Sequence, residues 1–518
     1  MNQSVFKVSS VTTITRLIVQ GDADARAIAA PERPELTYGA LRELAGRTLK
    51  ALNAAGIGRN DRVAIVLPNG AEMATAFAAI AAAATTAPLN PSYRREEFAF
   101  YLEDLKAKAL VVEAGSDSPA MAAAEQLGIT VIALQTDAGR PAGDFDLVTD
   151  QTGQATHPGP AEADDIALIL HTSGTTSRPK IVPLSHANVT ASAANIMNTL
   201  RLEPGDRCLN IMPLFHIHGL IAAVLTSLRA GASIYCTPGF NALKFFAWME
   251  DAKPTWYTAV PTMHQTILAR SGKNRETIRA NPLRFIRSSS SSLPPRVMTE
   301  LEAAFDAPVI EAYGMTEAAH QMACNPLPPA ARKAGTVGLA AGPEVAVMSE
   351  DGRLLERGET GEIVIRGDNV TPGYENNPKA NAENWTGGWF RTGDQGVMDA
   401  DGYLSITGRL KEIINRGGEK ISPREVDEVL MDHPAVQQCV TFAMPHDKLG
   451  EEVAAAVVLR EGMDADEPAI RGFTAERLAD FKVPRKVLIL DEIPKGATGK
   501  PQRIGLAKKL AKKLGLAG

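Results

Sequence analysis

Leu168-Ile-Leu-His-Thr-Ser-Gly-Thr-Thr-Ser-Arg-Pro-Lys-Ile-Val-Pro-Leu184 is the stretch on which the fold turns. The apolar run Ile166–Leu170 that leads into it predicts a short buried strand. Six residues in a row, Thr172–Ser177, are then small and hydroxylated or glycine, and Arg178 and Lys180 follow. Such a turn offers hydroxyls, backbone N–H groups and two cations, which crowded, acceptor-only polyphosphate oxygens require. It is not a Walker A loop, G-x-x-x-x-G-K-S/T, because Gly174 stands alone and Pro179 precedes the lysine. Ser/Thr/Gly runs are more often plain polar surface turns. What accompanies the loop decides between the two.

The chain has 518 residues, 45% hydrophobic and 22% charged, which suits a globular protein of two or three domains. A net charge of −6 argues against nucleic acid as a partner, since phosphate neutralisation needs a basic face. Cys208, Cys236, Cys324 and Cys439 lie far apart with no C-x-x-C pair, which points to a reducing cytoplasm and away from a disulfide framework or zinc knuckle. The first twenty or so residues have no continuous apolar run of the signal-peptide kind, and the last residues do not match a peroxisomal Ser-Lys-Leu signal. Two uncharged windows, Met73–Tyr93 and Cys208–Leu228, are broken by prolines and polar residues, so both are expected in the core and no membrane span is expected.

Outward from the loop, strands alternate with helices on the N-terminal side: Leu36–Tyr38, a helix over Ala40–Ala54, Val63–Leu67, helices over Glu72–Ala84 and Arg95–Leu105, then strands Ala109–Val112 and Ile129–Leu134. This alternation predicts an α/β domain with a largely parallel sheet. Beyond the loop come a helix over Ala187–Leu200 and a strand over Arg207–Pro213. Phe215-His-Ile-His-Gly219 follows where α/β proteins place ligands, at a strand's end. No further His or Cys cluster completes a metal site around His216 and His218, so a pocket-lining role is expected for them. The strand Phe285–Arg287 runs into five serines, Ser288–Ser292, ahead of a helix over Arg296–Phe305. Residues 335–403 read as a small β-subdomain of short runs between glycine turns. A helix over Pro423–Asp432 and an α/β unit over Ala435–Arg460 with Glu476–Asp480 complete a C-terminal domain. The expected division is 1–410 and 411–518.

Five segments in fixed order carry the functional reading: Thr172–Lys180; Tyr313-Gly-Met-Thr-Glu317; Trp389-Phe-Arg-Thr-Gly-Asp394; Gly408-Arg-Leu-Lys411 with Gly417-Gly-Glu-Lys420; and Pro494-Lys-Gly-Ala-Thr-Gly-Lys500. Together they resemble the adenylate-forming superfamily of acyl-CoA synthetases, adenylation domains and beetle luciferases, over essentially the whole chain. Pro213-Leu-Phe-His-Ile-His-Gly-Leu220, Thr255-Trp-Tyr-Thr-Ala-Val-Pro-Thr262, Leu283-Arg-Phe-Ile-Arg-Ser288 and Asn325-Pro-Leu-Pro328 resemble its oxalate–CoA ligase branch. The resemblance implies a large N-terminal domain with a β-subdomain and a small mobile C-terminal α/β domain. It implies an AMP-forming acid–CoA ligase that uses ATP, Mg²⁺ and coenzyme A, as a monomer or homodimer.

It also implies roles. Thr172, Ser173, Gly174, Thr175, Thr176 and Lys180 would hold the ATP phosphates, and Glu317 would ligate Mg²⁺. Thr316 would touch the α-phosphate, and Lys500 would bridge carboxylate and α-phosphate in the transition state. Ser291, Glu311, Ala312 and Tyr313 would border adenine, and Asp394 with Arg409 the ribose. Lys411 would be the hinge on which the C-terminal domain turns between steps, bringing Gly417, Gly418 and Lys420 to the coenzyme A tunnel.

His216, His218, Ser289, Ser290 and His320 are the polar candidates for the acid pocket. Burying unpaired polar groups against an alkyl chain is costly, so a short hydrophilic acid, oxalate first, is expected. Two departures from the pattern matter, the first for dicarboxylate recognition and the second for the stiffness of the phosphate loop. Pro238-Gly-Phe-Asn241 lacks the arginine of the Gly-Arg-Phe stretch that these ligases tend to carry, and Ile181 replaces the usual glycine after the lysine. A ligase for a medium-chain or branched monocarboxylate is the alternative within the class; from another class, a non-catalytic nucleotide or acyl-adenylate sensor.

Overall fold

The computed structural model describes residues 12–172, 179–494 and 503–515. Ser173, Gly174, Thr175 and Thr176 of the loop, and Lys500, lie outside the described residues. Contacts gather the chain into two compact units. The first holds the described residues up to Thr172, then Lys180–Glu344 and Arg366–Glu383; the second holds Val345–Ile365 and the described residues from Asn384 on.

Two sheets build the first unit. One runs, in spatial order, Asp146–Val148, Thr130–Gln135, Ala109–Glu113, Arg62–Val66, Thr85–Pro88, Ile166–Thr172, Lys180–Ser185. Its inner pairings are parallel and its two outermost pairings antiparallel. The other sheet runs Leu339–Ala340, His320–Cys324, Val309–Met315, Phe285–Ser288, Trp256–Ala259, Arg207–Asn210, Ser233–Cys236, Arg26–Ala29, Leu36–Thr37, with a parallel centre. Continuous apolar runs such as Val63–Val66 and Ala109–Val112 are buried because helices cover both faces of a parallel sheet.

Helix boundaries follow capping chemistry. Thr37 Oγ1 accepts the Ala40 N–H and opens the helix Tyr38–Ala54, whose Leu41, Leu44, Thr48 and Leu52 turn inward at helical spacing. Ser185 and Asn188 cap His186–Thr199 reciprocally. The helix Ala71–Ala81 is buried at every position but Glu72, since alanine lets neighbours approach from all sides. Among the described residues no helix is long and apolar enough to cross a membrane.

The second unit carries an antiparallel sheet of Thr360–Arg366, Trp389–Met398, Leu404–Arg409 and flanking short strands. It also carries a sheet built on the antiparallel hairpin Val436–His446/Gly450–Leu459. The region read as an α/β unit therefore begins as a hairpin. Its helix is Glu467–Ala475, where Asp466 accepts the Ala469 N–H and Pro468 suits the first turn; residues 476–480 lie beyond it. The second unit takes in residues on both sides of Lys411. The reason is local: Ser422 Oγ donates to the Thr407 carbonyl and the helix Pro423–Asp432 packs against Leu404–Arg409.

Candidate active site

The carboxyl ends of the central strands in the nine-stranded sheet converge on one polar cluster, as open α/β sheets favour. Past Arg207–Asn210 the chain enters a π-helix, His218–Leu225, a form frequent at functional sites. It starts hard against Pro213: a Cβ at Gly219 would lie 2.4 Å from the Pro213 carbonyl oxygen, so only glycine fits. His218 is buried, with Nε2 2.6 Å from Thr258 Oγ1 and Nδ1 3.0 Å from Ser290 Oγ. The His320 ring meets it edge-on at 4.9 Å. Ser290 (φ 71°) and His320 (φ 103°) both hold the left-handed backbone region. Non-glycine residues enter it at a cost, typically at ligand sites. Gly314 explains how His320 gets so close, because a Cβ there would sit 1.8 Å from the His320 carbonyl oxygen.

A second cluster forms around Glu317, in the one-turn helix Thr316–Ala318 that follows Val309–Met315. Glu317 is 5% exposed, and the Tyr374 hydroxyl donates to its Oε1 at 2.8 Å. The Thr371 N–H reaches the Glu317 carbonyl at 2.7 Å, and Thr371 Oγ1 donates to the Pro183 carbonyl. These bonds tie Glu317 to the hairpin in which Thr172 and Lys180 face each other. Lys180 Nζ lies 4.2 Å from the Tyr374 ring centroid, a cation–π contact. One carboxylate and one ammonium are thus fixed at the base of the Ser/Thr/Gly loop. Among the described residues no group of three or more His, Cys, Asp or Glu could hold a metal ion by itself. A single carboxylate suits Mg²⁺ that arrives with phosphate oxygens already on it.

The remaining expected residues fall as follows. Glu311 is buried and its Oε1 accepts the Leu293 N–H, which anchors the far end of the serine run. Ala312 and Tyr313 continue that strand and are buried; Ser291 is exposed, and Thr316 and His216 are half-buried. Ser289, expected in the acid pocket, is fully buried and donates its proton to the Ala312 carbonyl at 2.9 Å, so it fastens two strands together. In the second unit, Asp394 and Arg409 are antiparallel partners with Oδ1 and Nε 3.1 Å apart. Lys411 lies in a one-turn helix, Leu410–Glu412. Gly417 (φ 59°) and Gly418 (φ 103°) make the turn between Ile414–Arg416 and Glu419–Ile421, where Lys420 is exposed.

Four residues of the site escape sequence reading. Tyr374 sits in Thr371-Pro-Gly-Tyr374, which reads as an ordinary turn. Thr258, Arg287 and Gln321 stand on three different strands and meet only through sheet register, in which Thr258 lies opposite Arg287 and Gly314 opposite Gln321. Arg287 is wholly buried, with Nη2 3.2 Å from Gln321 Oε1 and Nη1 3.5 Å from both Thr258 Oγ1 and His218 Nε2. The only signal was an arginine inside an apolar strand, Phe285-Ile-Arg-Ser288.

Comparison with known proteins gives the chain's family. Residues 17–375 match the model of the AMP-binding enzyme family, and 425–500 match the AMP-binding enzyme C-terminal domain. The chain is 48% identical to an oxalate–CoA ligase of Arabidopsis thaliana over 93% of this chain and 94% of that one. It is 44% identical to an oxalate–CoA ligase of Saccharomyces cerevisiae over 88% of each. Among solved structures, ATP-bound MatB from Rhodopseudomonas palustris superposes with a TM-score of 0.87 at 31% identity, covering 96% of this chain and 98% of that one.

Proposed function

The chain belongs to the AMP-binding enzyme family, and on that premise we propose that it is an ATP-dependent, AMP-forming acid–CoA ligase whose acid is oxalate. In the first step a carboxylate oxygen attacks the α-phosphorus, the bond to the β-phosphate oxygen breaks, and pyrophosphate leaves. In the second the coenzyme A sulfur attacks the acyl carbon, gives up its proton, and AMP departs.

Lys180 and the Thr172 end of the loop hold the β- and γ-phosphates, with Ser173, Gly174, Thr175 and Thr176 between them. Glu317 holds Mg²⁺, which neutralises phosphate charge when bound. Thr316 contacts the α-phosphate and Lys500 bridges it to the acid. Tyr313 stacks on adenine beside Ser291, Glu311 and Ala312; Asp394 and Arg409 take the ribose. Lys411 is the pivot, and Gly417, Gly418 and Lys420 border the coenzyme A arm. A cytoplasmic setting accords with four free thiols.

One observation supports the acid: His218, read as part of the acid pocket, is hydrogen-bonded on both ring nitrogens, to Thr258 and Ser290, with His320 against it. A hydroxyl-and-imidazole wall pairs with a second carboxylate and penalises an alkyl chain. The two oxalate–CoA ligases among the relatives support the same assignment. The test is pyrophosphate release against oxalate, malonate, glycolate, acetate, butyrate, octanoate and benzoate. Oxalate is expected to exceed each monocarboxylate in kcat/KM by about 10²-fold or more, since a polar site rejects analogues that leave its groups unpaired. A preference for butyrate or octanoate would sink oxalate while keeping the ligase.

A further inference from the structure

Arg287 is a guanidinium sealed in the sheet with no anion beside it. Among the described residues no carboxylate pairs with it; its hydrogen-bond partners are Thr258, His218 and Gln321, all neutral or imidazole, and its Nε–H has no acceptor. The nearest ionisable groups do not supply a charge either. Burial pushes the Cys324 thiol up to about 12 and the Cys208 thiol well above its ordinary range, so both keep their protons at neutral pH. A buried cation without a counter-ion is costly, and proteins keep one where something supplies the missing charge.

The hydrogen bonds give this charge a direction. Arginine can only donate. Its Nη1–H points to Thr258 Oγ1 and His218 Nε2, both 3.5 Å away. Nε2 therefore accepts, and the Thr258 hydroxyl, 2.6 Å away, donates to it. The imidazole proton then sits on Nδ1 and is donated to Ser290 Oγ at 3.0 Å. Every donor in the relay Arg287–Thr258–His218–Ser290 points away from the guanidinium, and Ser290 Oγ is its last acceptor. Ser290 is held there by its left-handed backbone. Aligned hydrogen bonds polarise one another, so a relay that begins on a cation ends as a strengthened donor.

We infer that Arg287 is the specificity-determining positioning residue of this site: acting through Thr258 and His218, it selects an acid that carries a second carboxylate at its far end. It supplies a positive charge that Pro238-Gly-Phe-Asn241, which has no arginine, does not. The inference rests on reading this cluster as the acid pocket of a CoA ligase. A purely structural Arg287, tying Phe285–Ser288 to His320–Cys324 through Gln321, would affect all acids alike.

Oxamate separates the two, because it has the shape of oxalate with the distal carboxylate replaced by a neutral amide. Thioester formation from each acid is measured in the wild type, Arg287→Met and Arg287→Lys, with KM for ATP as the control. The wild type is expected to prefer oxalate by at least about tenfold in kcat/KM. Arg287→Met is expected to bring that preference to within about threefold, mainly by raising KM for oxalate, with KM for ATP unchanged. Arg287→Lys retains the charge and most of the preference. If Arg287→Met does not fold, Arg287→Gln, which keeps a donor without charge, takes its place. A wild type that uses oxamate as well as oxalate, or a neutral variant that lowers both acids equally, overturns the inference and leaves the ligase assignment standing. A wild type that makes thioester from neither acid overturns the ligase-for-oxalate reading, and the inference with it.

Discussion

Lys500→Ala is expected to lower acyl-adenylate formation by about 10²–10³-fold and to leave the thiol step nearly intact. The magnitude follows from what the residue is asked to do. Attack on the α-phosphorus brings an anionic acid onto an anionic phosphate, so charge accumulates between two groups that repel, and a positioned cation there acts mostly in the transition state. Losing such a group costs kcat with little change in KM. The thiol step has no phosphate to be attacked and needs no such bridge. Adenylation is read by acid-dependent exchange of labelled pyrophosphate into ATP, and thiolysis by coenzyme A consumption from supplied acyl-adenylate. Equal losses in the two would show that Lys500 serves the fold or binding in general.

The second large effect is at Glu317. Glu317→Gln preserves shape and an oxygen to accept the Tyr374 hydroxyl, now 2.8 Å from Oε1, while removing the charge. Adenylation is expected to fall by about 10²-fold or more, with a matching rise in the Mg²⁺ concentration needed for half-maximal rate, because a hard divalent cation on phosphate oxygens prefers a carboxylate to an amide. Tyr374→Phe leaves the carboxylate and is expected to cost less than about tenfold, as a lost orienting hydrogen bond does in metal sites. An unchanged Mg²⁺ requirement in Glu317→Gln would remove Glu317 from the metal and leave it as a buried brace for the Thr371–Tyr374 turn.

How much of this could be read from residues alone depends on distance along the chain. The parallel strands were legible because their apolar runs are short and bounded by turn residues, as in Val63–Leu67 before Pro68-Asn-Gly70. Glu317, Asp394 and Lys180 could be named as candidates because motif residues keep their order whatever the fold does between them. His218 was named, but its π-helix was not, since a single stretch of i to i+5 bonding has no hydrophobic period to betray it. Thr258, Arg287 and Gln321 come together only when Trp256–Ala259 pairs with Phe285–Ser288 and Val309–Met315 with His320–Cys324. That register is a property of the sheet. Ser289 is the converse case: a serine in a polar run looks available, yet just past the strand Phe285–Ser288 it is buried with its hydroxyl donated to the Ala312 carbonyl. The arginine sought in Pro238-Gly-Phe-Asn241 is absent from that loop, while Arg287 lies buried three strands away from the strand preceding it.

The most direct test follows the acid's own oxygen. With oxalate labelled with heavy oxygen in both carboxylates, plus ATP, Mg²⁺ and coenzyme A, the products are resolved by mass spectrometry. Formation of a mixed anhydride and its capture by thiol predicts one labelled oxygen in the phosphate of each AMP and one oxalyl thioester per AMP. Unlabelled AMP, or ADP in its place, would contradict the account at its centre.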